Sequence, residues 1–325
     1  MAVSRPARLF CLDTVMMDVV MTVSNVPRPG ADVLAERGLL TTGGGFNSMS
    51  SAARQGMSVV YAGKLGTGPF STLAVRSLDD EGISAPIPPN HESDAGFCVV
   101  IVEDSGERTF MTSRGAEGTL QLNDLQALDI RDGDFVLVSG YNVMYPGLAE
   151  MVLEWIGELS DGVVVALDPS NRVYDIPAPY LETILARADW ILCNETEAHD
   201  LTGSGEPAVA AVAIAALTRR GDAVVRHGAT GCTVVHDGSG PVEVNGFATK
   251  VVDTNGAGDT HNGVFIAELA RGTDPEEAAR RANAAASIAI SELGPATCPT
   301  RTLIDARIAQ SAALAASGPT GDVAD

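Results

Sequence analysis

Short β-branched runs alternate with alanine- and leucine-rich stretches of helical period along most of the chain, and this alternation limits the fold more than any other feature. Strand candidates fall at 58–62, 97–102, 135–139, 163–167, 190–193, 223–226 and 232–236, with a first extended run at 8–20. Helical patterns fall near 46–56, 71–82, 147–160, 207–220, 257–271 and 275–292. A β-α-β-α succession predicts an α/β fold with a mostly parallel sheet covered on both faces. Residues 97–112 break the pattern. Two extended runs there flank Glu103-Asp-Ser-Gly-Glu107, which reads as an antiparallel hairpin. Together with 15–42 it predicts a small β element outside the main sheet. No internal repeat or linker divides the sequence, so we read one domain over 1–316 carrying that insertion. The end, Ser317 to Asp325, has the composition of a disordered tail.

Charge narrows the partners. The 21 basic residues face 42 acidic ones, a net charge of −21. Nucleic acid and anionic membranes are therefore not expected partners, since no basic surface is available to neutralise phosphates. Lys64 and Lys250 are the only lysines, so an anion site must use arginine, backbone amides or a metal. The five cysteines (11, 98, 193, 232, 298) form no Cys-x-x-Cys, which points away from disulfides or zinc and toward the cytoplasm. Asp13 and Asp18 interrupt the apolar run after Arg5 and Arg8, which argues against a signal peptide. The longest apolar run, around 207–217, is too short to span a bilayer.

The chemistry concentrates in Val251-Val-Asp-Thr-Asn-Gly-Ala-Gly-Asp-Thr-His-Asn-Gly-Val-Phe265. A glycine turn at a helix start presents unpaired N–H groups and the positive end of the helix dipole, which suits an anion. Asp259 adds a proton acceptor beside that turn. Earlier, Gly43-Gly-Gly-Phe-Asn47 opens another helix, where backbone can approach a ligand and Asn47 can bond a hydroxyl, although taken alone the stretch reads first as a plain flexible loop before a helix cap. Asn194-Glu-Thr-Glu197 follows the strand at 190–193. It could organise a hydrated Mg²⁺ or simply cap the next helix. Val225 to Cys232, with Gly228 and Gly231, reads as a strand and a turn.

Taken together, these segments resemble the ribokinase (PfkB) family of sugar and nucleoside kinases over nearly the whole chain. Asp253-Thr-Asn-Gly-Ala-Gly-Asp259 is similar to the family's C-terminal signature, and Pro27-Arg-Pro-Gly30, nine residues beyond Asp18, to its early turn. Asn47, Asn194 with Glu197, and the Gly228/Gly231 turn follow in order. The run Ala282 to Ile290, followed by Gly294, resembles the helix lining the adenine pocket.

The resemblance implies a three-layer α/β/α fold with a β lid, and ATP-dependent transfer to a hydroxyl. It implies Asp259 as general base, with the amides of Gly256, Ala257 and Gly258 as the anion hole. Substrate would meet Asp18, Gly43, Gly44 and Asn47, with Arg172 near the transferred phosphate. Nucleotide would lie along Asn194, Arg226, Gly228, Gly231, Gly258 and Asn283, with Mg²⁺ reached by Glu197 through water. Many members also bind K⁺ behind the anion hole. The matching positions are Asp253, Asn255, Ala289, Glu292, Gly294 and Cys298, the last standing where serine is frequent.

Departures bear on the acceptor. Thr42 replaces a glycine, Gly68 an aspartate and Ser71 a glycine, His261 stands where an aromatic residue is usual, and Ser139-Gly-Tyr141 stands where ribokinases carry a sugar-binding glutamate. Ribose is thus not the first expectation; a small sugar or related polyol is, with a nucleoside as alternative. Tyr141 and Phe46 could stack on a ring, or be core aromatics. A binding regulator that lost turnover is disfavoured by the intact Asp259. A dinucleotide enzyme is disfavoured because 8–20 lacks a following Gly-x-Gly-x-x-Gly. The exposed edges of the small β element predict a homodimer.

Overall fold

A computed structural model describes residues 5–105 and 107–317. The predicted disordered tail lies, beyond Ser317, outside the described residues. In chain order the strands are β1 Arg8–Leu12, β2 Val15–Val23, β3 Arg37–Gly44, β4 Ser58–Tyr61, β5 Phe97–Glu103, β6 Arg108–Ser113, β7 Phe135–Ser139, β8 Val164–Asp168, β9 Trp190–Asn194, β10 Asp222–Arg226, β11 Gly231–Val235 and β12 Val242–Asn245. The helices are α1 Phe46–Arg54, α2 Pro69–Asp80, α3 Leu122–Gln126, α4 Leu148–Glu158, α5 Ala178–Arg187, α6 Glu195–Thr202, α7 Pro207–Ala215, α8 Ala257–Ala270, α9 Pro275–Ala289 and α10 Arg301–Ser317.

The main sheet runs β12-β11-β10-β9-β8-β7-β1-β4, parallel from β10 to β4 and antiparallel at its β11 and β12 end. Its strands are buried on both faces, which is why they read as unbroken apolar runs rather than alternating ones. The alternation appears instead in which layer each residue enters. Leu9 and Cys11 pack with Met49 of α1, Phe265 of α8 and Ala282 of α9. Phe10 and Leu12 pack with Trp155 of α4, Ile184 of α5 and Ile214 of α7. Two cores on opposite faces of one sheet make the expected three layers.

A second sheet of order β3-β2-β5-β6 stands beside the first, with the 97–112 hairpin as its β5–β6 pair. The run 8–20 proves to be two strands. It breaks at Asp13–Thr14, so that β1 enters the large sheet and β2 the small one. The Asp13 carboxylate accepts the Thr14 amide at 2.7 Å, a local bond that competes with strand pairing. The 207–220 helix ends at Ala215, because the Thr218 hydroxyl accepts the Gly221 and Asp222 amides and turns the chain into β10. The C-terminal ends of β1, β8, β9 and β10 deliver Asp13, Asp168, Asn194 and Arg226 to one edge, where open α/β sheets bind ligands.

Candidate active site

Two helix N-termini meet at this edge. Gly256, left-handed at φ 74°, starts α8. The Ala257 amide turns back to Thr254 O at 3.3 Å, so the predicted trio of free amides is revised. Those of Gly256, Gly258 and Asp259 are the ones without an acceptor among the described residues. Asp259 occupies the first turn, where Oδ2 accepts the Asn47 amide at 3.0 Å and Oδ1 accepts the Ser48 hydroxyl at 3.2 Å. Both donors come from the first turn of α1. Burial raises the Asp259 pKa, the charge of Asp168 raises it further, and the Asn47 and Ser48 bonds oppose them. Asn47 Oδ1 is buried and has no partner among the described residues.

The glycine triplet before α1 exists because two carboxylates pack on it. A methyl on Gly43 would sit 2.2 Å from Asp18 Oδ2, and one on Gly45 would sit 2.7 Å from Asp13 Cβ. Gly44 lies over Thr14 O, which accepts the Gly45 amide at 2.8 Å. Burial, and then the charge of Asp259, push Asp13 up to about 7 and Asp18 up to about 6. The loop is therefore a wall packed against two carboxylates ahead of Asn47, not a loose connection.

On the other side of Asp259 lies a charged network. Arg226 packs beneath the helix start, its Nη2 lying 3.4 Å from where a Gly258 methyl would be. It donates to Asn262 and stands 3.8 Å from both Asp168 and Glu197. Asn262 in turn donates to Asp168 at 2.6 Å. Asn194 and Glu197 form a reciprocal cap on α6, with bonds of 2.8 and 2.9 Å. The capping alternative is thus realised, yet Glu197 Oε1 takes no hydrogen bond among the described residues. Burial and Asp168 push Glu197 up against the pull of Arg226. The scarcity of lysine is answered here by one partly buried arginine.

The remaining expected residues are spread more widely. Gly228 and Gly231 bracket the turn from β10 to β11. Asn283 donates to the carbonyls of Val244 and Asn245 at 3.0 and 3.3 Å, which ties α9 to β12. Arg172 pairs with Asp175 at 2.6 Å and is half-exposed, the surface reading of that residue. Tyr141 lies at the rim, donating to Asn171 at 2.7 Å, while Phe46 is a core aromatic. His261 is buried and stacks with Phe265 at 6.2 Å, and burial followed by the charge of Arg226 lowers its pKa to about 3. It packs as a neutral ring.

Asp253 accepts Arg108 at 2.5 Å, Asn255 N at 2.9 Å and Gly294 N at 3.2 Å. Ala289 O accepts the Thr297 hydroxyl, Cys298 O accepts Arg54, and Glu292 is exposed. Ser48, Asp13, Asp168, Asn262 and Arg108 were not among the predicted site residues. For Asn262 there was a signal, a polar residue one helical turn beyond Asp259.

A free helix start with a half-buried carboxylate in its first turn, at the C-terminal edge of a parallel sheet, is the arrangement of α/β enzymes that handle phosphate next to a proton acceptor. Residues 6–302 match the pfkB family of carbohydrate kinases, and the chain belongs to that family. It is an ATP-dependent carbohydrate kinase, a phosphotransferase with an alcohol group as acceptor. It is similar to YegV of Escherichia coli strain K12, an uncharacterized sugar kinase, with 31% identity over 300 residues covering 88% of this chain and 89% of that one. It is also similar to the ribokinase of Bacillus subtilis strain 168, with 29% identity covering 89% and 95%. A ribokinase II candidate from Escherichia coli, solved in complex with ATP and Mg²⁺, superposes with a TM-score of 0.79 at 19% identity, covering 94% and 99%. Among the described residues, no helix is long and apolar enough to cross a membrane.

Proposed function

We propose that the chain moves the γ-phosphoryl group of ATP to a hydroxyl of a small sugar or related polyol. The observation that carries the reading is Asp259, held by Asn47 and Ser48 beside the unpaired amides of the α8 start. The acceptor hydroxyl gives its proton to Asp259 as its oxygen bonds to phosphorus, and the bond to the departing ADP oxygen breaks. Charge on the transferring group meets the Gly256, Gly258 and Asp259 amides, with Arg226 behind them. Asp13, Asp18 and the open Asn47 Oδ1 offer several acceptors for neighbouring hydroxyls, which favours a polyol over a base-bearing nucleoside. Nucleotide follows Asn194, Arg226, Gly228 and Gly231, with the Asn283-tied α9 and β12 as a wall.

The donor set suits Mg²⁺. Glu197 and Asp168 are hard oxygen donors, and among the described residues no cluster of three His, Cys, Asp or Glu forms an all-protein cage. That fits an ion that keeps its waters and leans on phosphates. When bound, it supplies charge neutralisation on the phosphates. Two copies pair through the small sheet, whose edge strands β3 and β6 expose Leu40, Phe110 and Met111.

Asp259→Asn tests the reading. It keeps the Asn47 and Ser48 contacts but cannot take a proton, so nucleotide binding by calorimetry stays while turnover falls about 10²–10⁴-fold. Near-normal turnover would remove Asp259 from the role of base.

A further inference from the structure

The family resemblance implies a K⁺ ion behind the α8 start, and the residues present do not fit one. Both oxygens of Asp253 already accept N–H groups, from Arg108 and Asn255 on one side and from Gly294 on the other. Ala289 O accepts the Thr297 hydroxyl at 3.0 Å and the Glu292 amide at 3.1 Å. Arg54 Nη1 donates to both Ala296 O at 3.0 Å and Cys298 O at 2.7 Å. Gly294 O, too, faces the Thr297 hydroxyl, at 3.4 Å. A monovalent ion entering here would displace hydrogen bonds and meet two guanidinium groups of its own sign.

From this geometry we infer that the kinase carries its own fixed cation: Arg108, reaching from β6 of the small sheet, takes the electrostatic place of a monovalent ion at Asp253. Arg54 does the same on the carbonyl side, and Glu81 holds it there at 2.5 Å. The Arg108–Asp253 bridge is partly buried, with side chains 28% and 13% exposed, so it is not an ordinary surface pair. Burial works to raise the Asp253 pKa, but the Asn255 amide, Arg108 and the Gly294 amide outweigh it. Asp253 opens the loop that ends in the free amides of α8. Arg108 is therefore a positioning residue, and it joins the small sheet to the anion hole.

In its catalytic readout the inference rests on the kinase reading, but a binding readout does not. The full chain is compared in about 100 mM KCl and in tetramethylammonium chloride of equal ionic strength. The melting temperature is expected to agree between the two salts, and kcat to agree within about twofold. A rise in KCl of more than about 3 °C, or of more than about fivefold in kcat, overturns the inference. Arg108→Gln is expected to lower kcat about tenfold in tetramethylammonium with little change in KM for ATP, and KCl restores part of the loss. Arg108→Lys keeps most of the rate. An Arg108→Gln enzyme with wild-type kcat in tetramethylammonium also overturns it. If no acceptor is ever phosphorylated, the kinase reading fails while the melting comparison still decides the cation question.

Discussion

Asp13 carries a charge that the fold disfavours. Its folded-state pKa of about 7 lies above the ordinary 3.8, so between those values the folded protein binds more protons than the unfolded chain. Stability contributed by this group is present at low pH and falls as pH rises through that window. Asp13→Asn is expected to raise stability by roughly 1 to 3 kcal/mol at about pH 8 and to change little at about pH 4. Thermal melts across pH check it, and an equal shift at both pH values would remove the electrostatic explanation. Such strain at a cleft is usual where function, not stability, selected the residue. At this scale the sequence was most informative where residues are close in the chain. The glycine turn and Asp259 share one helix start, and the Asn194 cap spans three residues. Ser48 and Asp259 are separated by 211 positions and Asn262 and Asp168 by 94, and no local pattern announces such contacts.

Helices α1 and α8 hold the site through one close crossing. A methyl on Gly263 would lie 2.3 Å from Ser48 O and 2.6 Å from Ser51 Cβ. Gly263→Ala must therefore push the helices apart, moving Asn47 and Ser48 away from Asp259. The expected cost is about 1–3 kcal/mol of stability together with a lower kcat, read by denaturant melts and steady-state rates. A stable variant with a wild-type rate would show that the crossing is looser than described. Elements that are buried almost throughout, such as the apolar run of β7 and the long α8 behind its glycine turn, were legible in the sequence. The split of 8–20 was not, because apolar residues resume directly after Asp13–Thr14 although the two halves enter different sheets. Nor was α10, whose apolar residues follow no marked face.

At the scale of the molecule, the small sheet leaves β3 and β6 as open edges, and Leu40, Phe110 and Met111 are exposed there. Pairing of two copies through these strands predicts that Phe110→Asp shifts sedimentation from dimer to monomer. A wild-type chain that stays monomeric at all concentrations would end that proposal. A net charge of −21 does not forbid the pairing, provided the acidic groups lie off the shared edge.

The Asn47–Asp259 bond spans 212 residues, and this has a consequence for how the enzyme comes into being. While the ribosome is still making the middle of the chain, the glycine wall with Asp13 and Asp18 already exists as polymer, but Asp259 has yet to be synthesised. Until α8 has emerged and docked on α1, the newborn chain has no complete cleft. Under the proposed role of Asp259, a nascent chain that stops short of α8 is expected to show no phosphoryl transfer.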